Sequence, residues 1–143
     1  MDSHEARRHY EYVAHTADLG VRVEATELAA CFEAGALALV DTITDQADVA
    51  GSKERVISVA SDSPPELLQA FLQAVLKLFD VEAFVFGRVE AEVFDGRARA
   101  RLWGERFDPD RHGRGREVKA VTRHELELER SESGYRAYFL LDI

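Results

Sequence analysis

From Val89 to Trp103 the sequence reads VEAEVFDGRARARLW, and no other stretch constrains the fold as tightly. Asp95-Gly96 is the kind of dipeptide a two-residue hairpin turn selects, because both central residues need positive φ. Folding back at that point sets Val93 against Ala98, Ala91 against Ala100 and Val89 against Leu102 on one face. Glu92 then meets Arg99, and Glu90 meets Arg101, on the other. The apolar face needs a cover, and the charged face can stay in water. The arginine stripe therefore reads as half of a cross-strand charge ladder and not as an RNA-binding surface.

A second hairpin is expected near the end, where REVKAVTRHELELER and YRAYFLLDI flank SESG. A turn centred on Glu132 and Ser133 sets Glu129 opposite Arg136, Leu126 opposite Phe139 and Arg123 opposite Asp142. Shorter strands are expected at HYEYVA, GVRVEA and ERVISVA. Two segments change to helical period. In ELAACFEAGALALVDTI the residues Leu28, Cys31, Phe32, Gly35, Leu39, Val40 and Ile43 form one apolar face, with Thr26 as N-cap. In SPPELLQAFLQAVLKLFD, Ser63 caps, Pro64 occupies the first turn and Glu66 follows three residues after the cap.

Strands do not alternate with helices as repeated crossover units would, so the expectation is an α+β fold: a single domain with two amphipathic helices packed on antiparallel β-sheet. At 143 residues the chain is long enough for one core. Residues 1–9 read as a mobile polar lead and 10–143 as the domain. No run approaches the roughly 18 apolar residues of a membrane span, so a cytoplasmic location without membrane contact is expected. Eighteen Lys and Arg against 27 Asp and Glu give a net charge of −9. That balance disfavours direct binding to a phosphate backbone and suits a basic protein partner. The single Cys31 reads as a small core hydrophobe.

The usual catalytic signatures are missing: there is no GxSxG elbow, P-loop, HExxH or dinucleotide glycine pattern. The loop DPDRHGRGRE has Asp108, Asp110 and Gly113 at calcium-loop offsets, but Lys119 holds the position that needs a bidentate Glu, so it is not an EF-hand. Its Arg111, Arg114 and Arg116 could meet phosphate or an acidic surface. In HTADLG, the residues His15, Thr16, Ala17, Asp18 and Gly20 read as a tight bend between two strands, with Asp18 bonding its own backbone. The chain closes on LLDI, which puts the Asp142 side chain beside the α-carboxylate of Ile143. A strand that finishes flush on two carboxylates calls for a reason, since chain ends usually fray.

Taken in order, YEYVAHTADLGVRVEA followed by an amphipathic helix, WGERFDPDRHGRGREVKAVTRHELELE and the final LLDI resemble the archease family from about Tyr10 to Ile143. The chain departs from that family's pattern at Ala14, commonly Asp, and at Arg123, commonly Tyr. The resemblance implies an accessory protein and not an enzyme: a chaperone-like activator of the GTP-dependent RNA-splicing ligase that joins tRNA halves, promoting ligase guanylylation and multiple turnover. It implies a divalent-metal site at Asp18, Asp142 and Ile143, with Lys119 linked to activation of the partner and His15 and Arg123 as supporting candidates.

Two side-chain carboxylates and an α-carboxylate are hard oxygen donors, so Ca2+ is expected first, with Mg2+ or Mn2+ as alternatives. RNA would be met only indirectly, through the ligase. The competing expectations are a stand-alone metal-dependent enzyme acting on phosphorylated RNA ends or nucleotides, and a structural protein whose ion pins the C-terminus.

Overall fold

A computed structural model describes residues 1–15 and 17–143; Thr16, within the expected HTADLG bend, lies outside the described residues. The chain runs α1 (Ser3–Ala6), β1 (Tyr10–His15), β2 (Asp18–Ala25), α2 (Leu28–Thr44), β3 (Lys53–Ala60), α3 (Pro64–Glu82), β4 (Phe84–Phe94), β5 (Arg97–Arg106), α4 (Pro109–His112), β6 (Ala120–Val121), β7 (Glu127–Ser131) and β8 (Gly134–Asp142). The strands form two antiparallel sheets. One has the order β1-β2-β8-β6, with β7 also paired to β8, and the other has the order β3-β5-β4. This is the α+β arrangement that the sequence pattern calls for.

The hairpin at Asp95-Gly96 forms in the expected register, from Val93 opposite Ala98 to Val89 opposite Leu102. Asp95 and Gly96 take φ of 50° and 71°, which explains the residue pair found there. The covered side of β5 buries Ala98, Ala100 and Leu102, while Arg97, Arg99 and Arg101 are exposed. Of that stripe, Arg101 pairs with Glu54 on β3 at 2.7 Å and also lies 5.1 Å from the Trp103 ring.

Helix α2 departs from the single buried face that its spacing suggests. Every residue from Ala34 to Thr44 is buried, because α2 packs on β2 and β8 of the larger sheet and on β4 of the smaller one. Small side chains at Ala34, Ala36 and Ala38 fit a helix enclosed in this way. Its N-cap is Glu27, not Thr26, and makes no side-chain hydrogen bond. Helix α3 keeps one apolar face, with Leu68, Phe71, Leu72, Val75 and Leu76 buried, and meets α2 where Phe71 and Phe32 lie 5.4 Å apart. Ser63 is its N-cap, though without a side-chain bond.

The segment expected to be a mobile polar lead is docked. Ala6 is fully buried, the α-amino group of Met1 donates to Val89 O at 2.7 Å, and Asp2 bridges to Arg88. Arg7 grips Asp41 of α2 through two hydrogen bonds of 3.1 Å. Asp41 is only 2% exposed and also accepts the Tyr10 hydroxyl at 2.6 Å. Burial and that carboxylate push the Tyr10 ionisation upward. A polar segment is held here by charge partners that its own pattern does not announce. Cys31 is core, as expected, with its thiol pushed up to about 11 by burial. Among the described residues no helix is long and apolar enough to cross a membrane.

Candidate functional site

The outer face of the larger sheet brings the sequence-selected residues together. Asp18 is not the corner of a bend: it opens β2, and Gly20 lies within the same strand. Strand alternation then puts Asp18, Gly20 and Arg22 on the face away from α2, opposite Asp142, Leu140 and Tyr138 of β8. Asp18 is thus the direct cross-strand partner of Asp142. On the other side of Asp18 comes His15, its partner on β1. On the other side of Asp142 comes Ala120 of β6. His15, Asp18, Asp142 and Ala120 form one row across four strands. Like charges set opposite each other destabilise a sheet unless something offsets them.

The chain around this row follows a different register from the expected one. Glu129 faces Arg136, as the turn at Glu132 and Ser133 requires. Beyond Glu127, opposite Tyr138, the ladder breaks and resumes at Val121, opposite Leu141. Residues 122–126 therefore span what Phe139 and Leu140 span on β8, so three residues are looped out. Glu125, with φ of 55°, sits in the turn that absorbs them. In consequence Arg123 does not face Asp142. Ala120 takes that place, and the neighbouring Lys119 donates its amide to the Asp142 carbonyl at 2.7 Å, with its side chain exposed. Arg123 is exposed in the looped-out segment. Ala14 pairs with Leu19 and so belongs to the opposite face of the sheet from Asp18.

The looped-out turn folds back toward the row. Glu125 Oε2 lies 3.3 Å from His15 Nε2, and His15 Nδ1 lies 3.7 Å from Asp18 Oδ2. The His124 ring meets the His15 ring edge-on at 6.3 Å. Between turn and sheet lies an open cavity of about 460 Å³ that His15, Glu125, Leu126 and Tyr138 help to line. Leu140, on this outer face, is fully buried. Glu125 and Tyr138 were not singled out from sequence; only the contrast between the hairpin register and the KAVT motif could have hinted at an insertion there.

Among the described residues, no three His, Cys, Asp or Glu side chains are grouped so as to hold a metal ion. The donor set at the row is of another kind: two carboxylates in direct cross-strand register and the α-carboxylate of Ile143, the residue after Asp142. Such hard, anionic oxygens fit a divalent cation of the Ca2+ or Mg2+ type, and the cation would offset the repulsion between them.

The arginine-rich loop has a different occupation. Arg111 pairs with the buried Glu105 at 2.8 Å. Glu105 also accepts the Ala50 amide at 2.7 Å and faces His112 Nε2 at 3.1 Å. The Asp108 amide donates to His112 Nδ1, so the ring of this buried, neutral histidine carries its proton on Nε2. The Gly115 and Arg116 amides cap the Ile43 and Thr42 carbonyls at the end of α2. The backbone of this loop is a clamp on α2. Of its three arginines only Arg114 and Arg116 are left outside an ion pair among the described residues.

Comparison with known proteins agrees with this fold. The model of the Archease protein family matches residues 10–143. The Pyrococcus furiosus protein archease is 40% identical over 131 residues, covering 89% of this chain and 92% of that one. The archease of Thermococcus gammatolerans is 36% identical over 141 residues, covering 95% and 99%. The solution structure of Methanobacterium thermoautotrophicum protein 1598 superposes with a TM-score of 0.80 at 29% identity, covering 95% of this chain and 99% of that one. A crystal structure of an archease, possible chaperone, from Thermotoga maritima shares the fold at a TM-score of 0.65 and 14% identity, covering 93% and 96%. The fold is a small two-sheet α+β domain shared with those two structures. The chain belongs to the archease family.

Proposed function

We propose that this protein activates a GTP-dependent RNA-splicing ligase, promoting guanylylation of the ligase and its repeated turnover. Beyond family membership, the observation that carries this reading is the row in which Asp18 faces Asp142, with Lys119 bonded to the Asp142 main chain. Asp18, Asp142 and the Ile143 α-carboxylate would hold one divalent ion, Ca2+ first and Mg2+ or Mn2+ next. Bound there, the ion would supply positive charge for triphosphate oxygens during guanylyl transfer. The exposed Lys119 ammonium adds a second positive group beside the same strand end. His15 is bracketed by Asp18 and Glu125 and orients the first of these carboxylates. The group transfer itself belongs to the ligase, whose basic surface would complement a net charge of −9.

The test uses a ligase from the same source, with guanylylation and RNA joining measured with and without this protein across a series of divalent ions. Acceleration that needs a divalent ion is the expected result. Lys119→Ala should lower it several-fold while leaving the melting temperature unchanged, because Lys119 is solvent-exposed. No acceleration under any ion overturns the reading. Turnover of phosphorylated RNA ends by this protein alone would replace it with the metal-dependent enzyme.

A further inference from the structure

The cavity beside the carboxylate row contains a group with no assigned role. Tyr138 projects from β8 on the same face as Asp142, and its ring leans along the sheet until the hydroxyl lies over Gly20. Any Cβ at position 20 would collide with that hydroxyl. Gly20 is two residues from Asp18 on one face of β2, about 6.6 Å along the strand. The glycine therefore allows the phenol to point from the Arg22 level toward the Asp18–Asp142 row. Two surroundings shape it. Burial raises its ionisation most, then Glu125, with Asp18 and Glu127 adding and the Arg22 guanidinium, 5.9 Å from the ring, opposing. The hydroxyl stays protonated and is a donor facing acidic groups. Among the described residues it has no hydrogen-bond partner. A donor left open in a polar cavity, one strand step from two carboxylates, suits an oxygen held between them.

We propose that Tyr138 is a positioning residue of the ion site: its hydroxyl, steered by the missing side chain of Gly20, donates a hydrogen bond to a water molecule bound on the ion at Asp18 and Asp142. This rests on the ion-binding reading above and adds to it the residue that orients the ion's open side. A partner hydrogen-bonding to an ion's ligand fixes that ligand's direction and strengthens binding, and its loss weakens metal affinity about ten-fold or more.

The experiment titrates wild-type protein and Tyr138→Phe with Ca2+ by calorimetry. In parallel Tb3+, a hard oxygen-seeking stand-in, is titrated while its emission is excited through tyrosine. Tyr138→Phe should keep the wild-type melting temperature, bind Ca2+ about ten-fold more weakly and lose most of the sensitised emission. Gly20→Ala, which pushes the ring aside, should move affinity in the same direction. Unchanged Ca2+ affinity in Tyr138→Phe overturns the inference, even if emission falls, because proximity without the hydrogen bond is not the claim. A drop in affinity matched by a drop in melting temperature assigns Tyr138 to packing and also overturns it. Wild-type protein that binds neither ion overturns the ion-binding reading and this inference together, whereas normal binding by both proteins sinks the inference alone.

Discussion

Glu105 is a carboxylate whose buried, paired environment its sequence neighbours do not suggest. The Arg111 guanidinium, the Ala50 amide and His112 hold its carboxyl down at about 2, against the cost of burial. A carboxylate whose folded pKa is depressed contributes stability that is fully present above its ordinary value near 4.5 and is lost as pH falls toward 2. The melting temperature should therefore decline over that interval, and Glu105→Gln should flatten the decline; an unaltered acid limb in the variant would remove Glu105 from the account. Neither this pair nor the Arg7–Asp41–Tyr10 network was legible in the sequence. In both, the partners are brought together by tertiary packing, and nothing in the local spacing of ERFDPDRH or LVDTIT marks which charge will be buried. What was legible at this scale was Cys31, whose place on an apolar stripe needs no distant partner to interpret.

Elements whose pairing is local were read correctly, and elements completed by distant chain were not. The Asp95-Gly96 hairpin fixes its own register through its turn, and the Glu132–Ser133 turn does the same as far as Glu127. Past that point the ladder obeys the Lys119–Asp142 anchorage at its far end, and the three surplus residues leave as a loop. Deleting residues 123–125 should join β6 to β7 without a break, because Leu126 would then follow Thr122 and fall opposite Phe139, which faces the core. The shortened chain should melt within a few degrees of wild type, since the unbroken ladder replaces the bonds the turn made. It should bind Ca2+ more weakly, having lost the Glu125 contact that braces His15 against Asp18. A shortened protein with undiminished ion affinity would make the loop a passive insertion. The all-round burial of α2 was hidden for a related reason: its alanines fit either a solvent face or a second sheet, and only the existence of that second sheet decides.

At the scale of the whole molecule, two sheets close on α2, so that the strand opening at Asp18 and the last strand, through Asp142, become neighbours. Sequence reading could select Asp18 and Asp142 as a pair through family resemblance, but the juxtaposition itself depends on β8 inserting between β2 and β6. That insertion makes the proposed ion site a property of the complete fold, with one ligand from each of two strands and a third from the main-chain carboxylate of Ile143. Three interventions at separated points should therefore produce one phenotype. Asp18→Asn and Asp142→Asn each remove an anionic oxygen, and residues added after Ile143 convert its α-carboxylate into an amide. Each should leave far-ultraviolet circular dichroism unchanged, lower divalent-ion affinity by at least an order of magnitude, and lower ligase activation in proportion. The two asparagine variants should also melt slightly higher than wild type without added ion, because each abolishes the like-charge opposition across β2 and β8. An extended chain that binds a divalent ion and stimulates the ligase as well as the unextended one would remove Ile143 from the site, and the two asparagine variants would then decide whether the facing aspartates hold an ion at all.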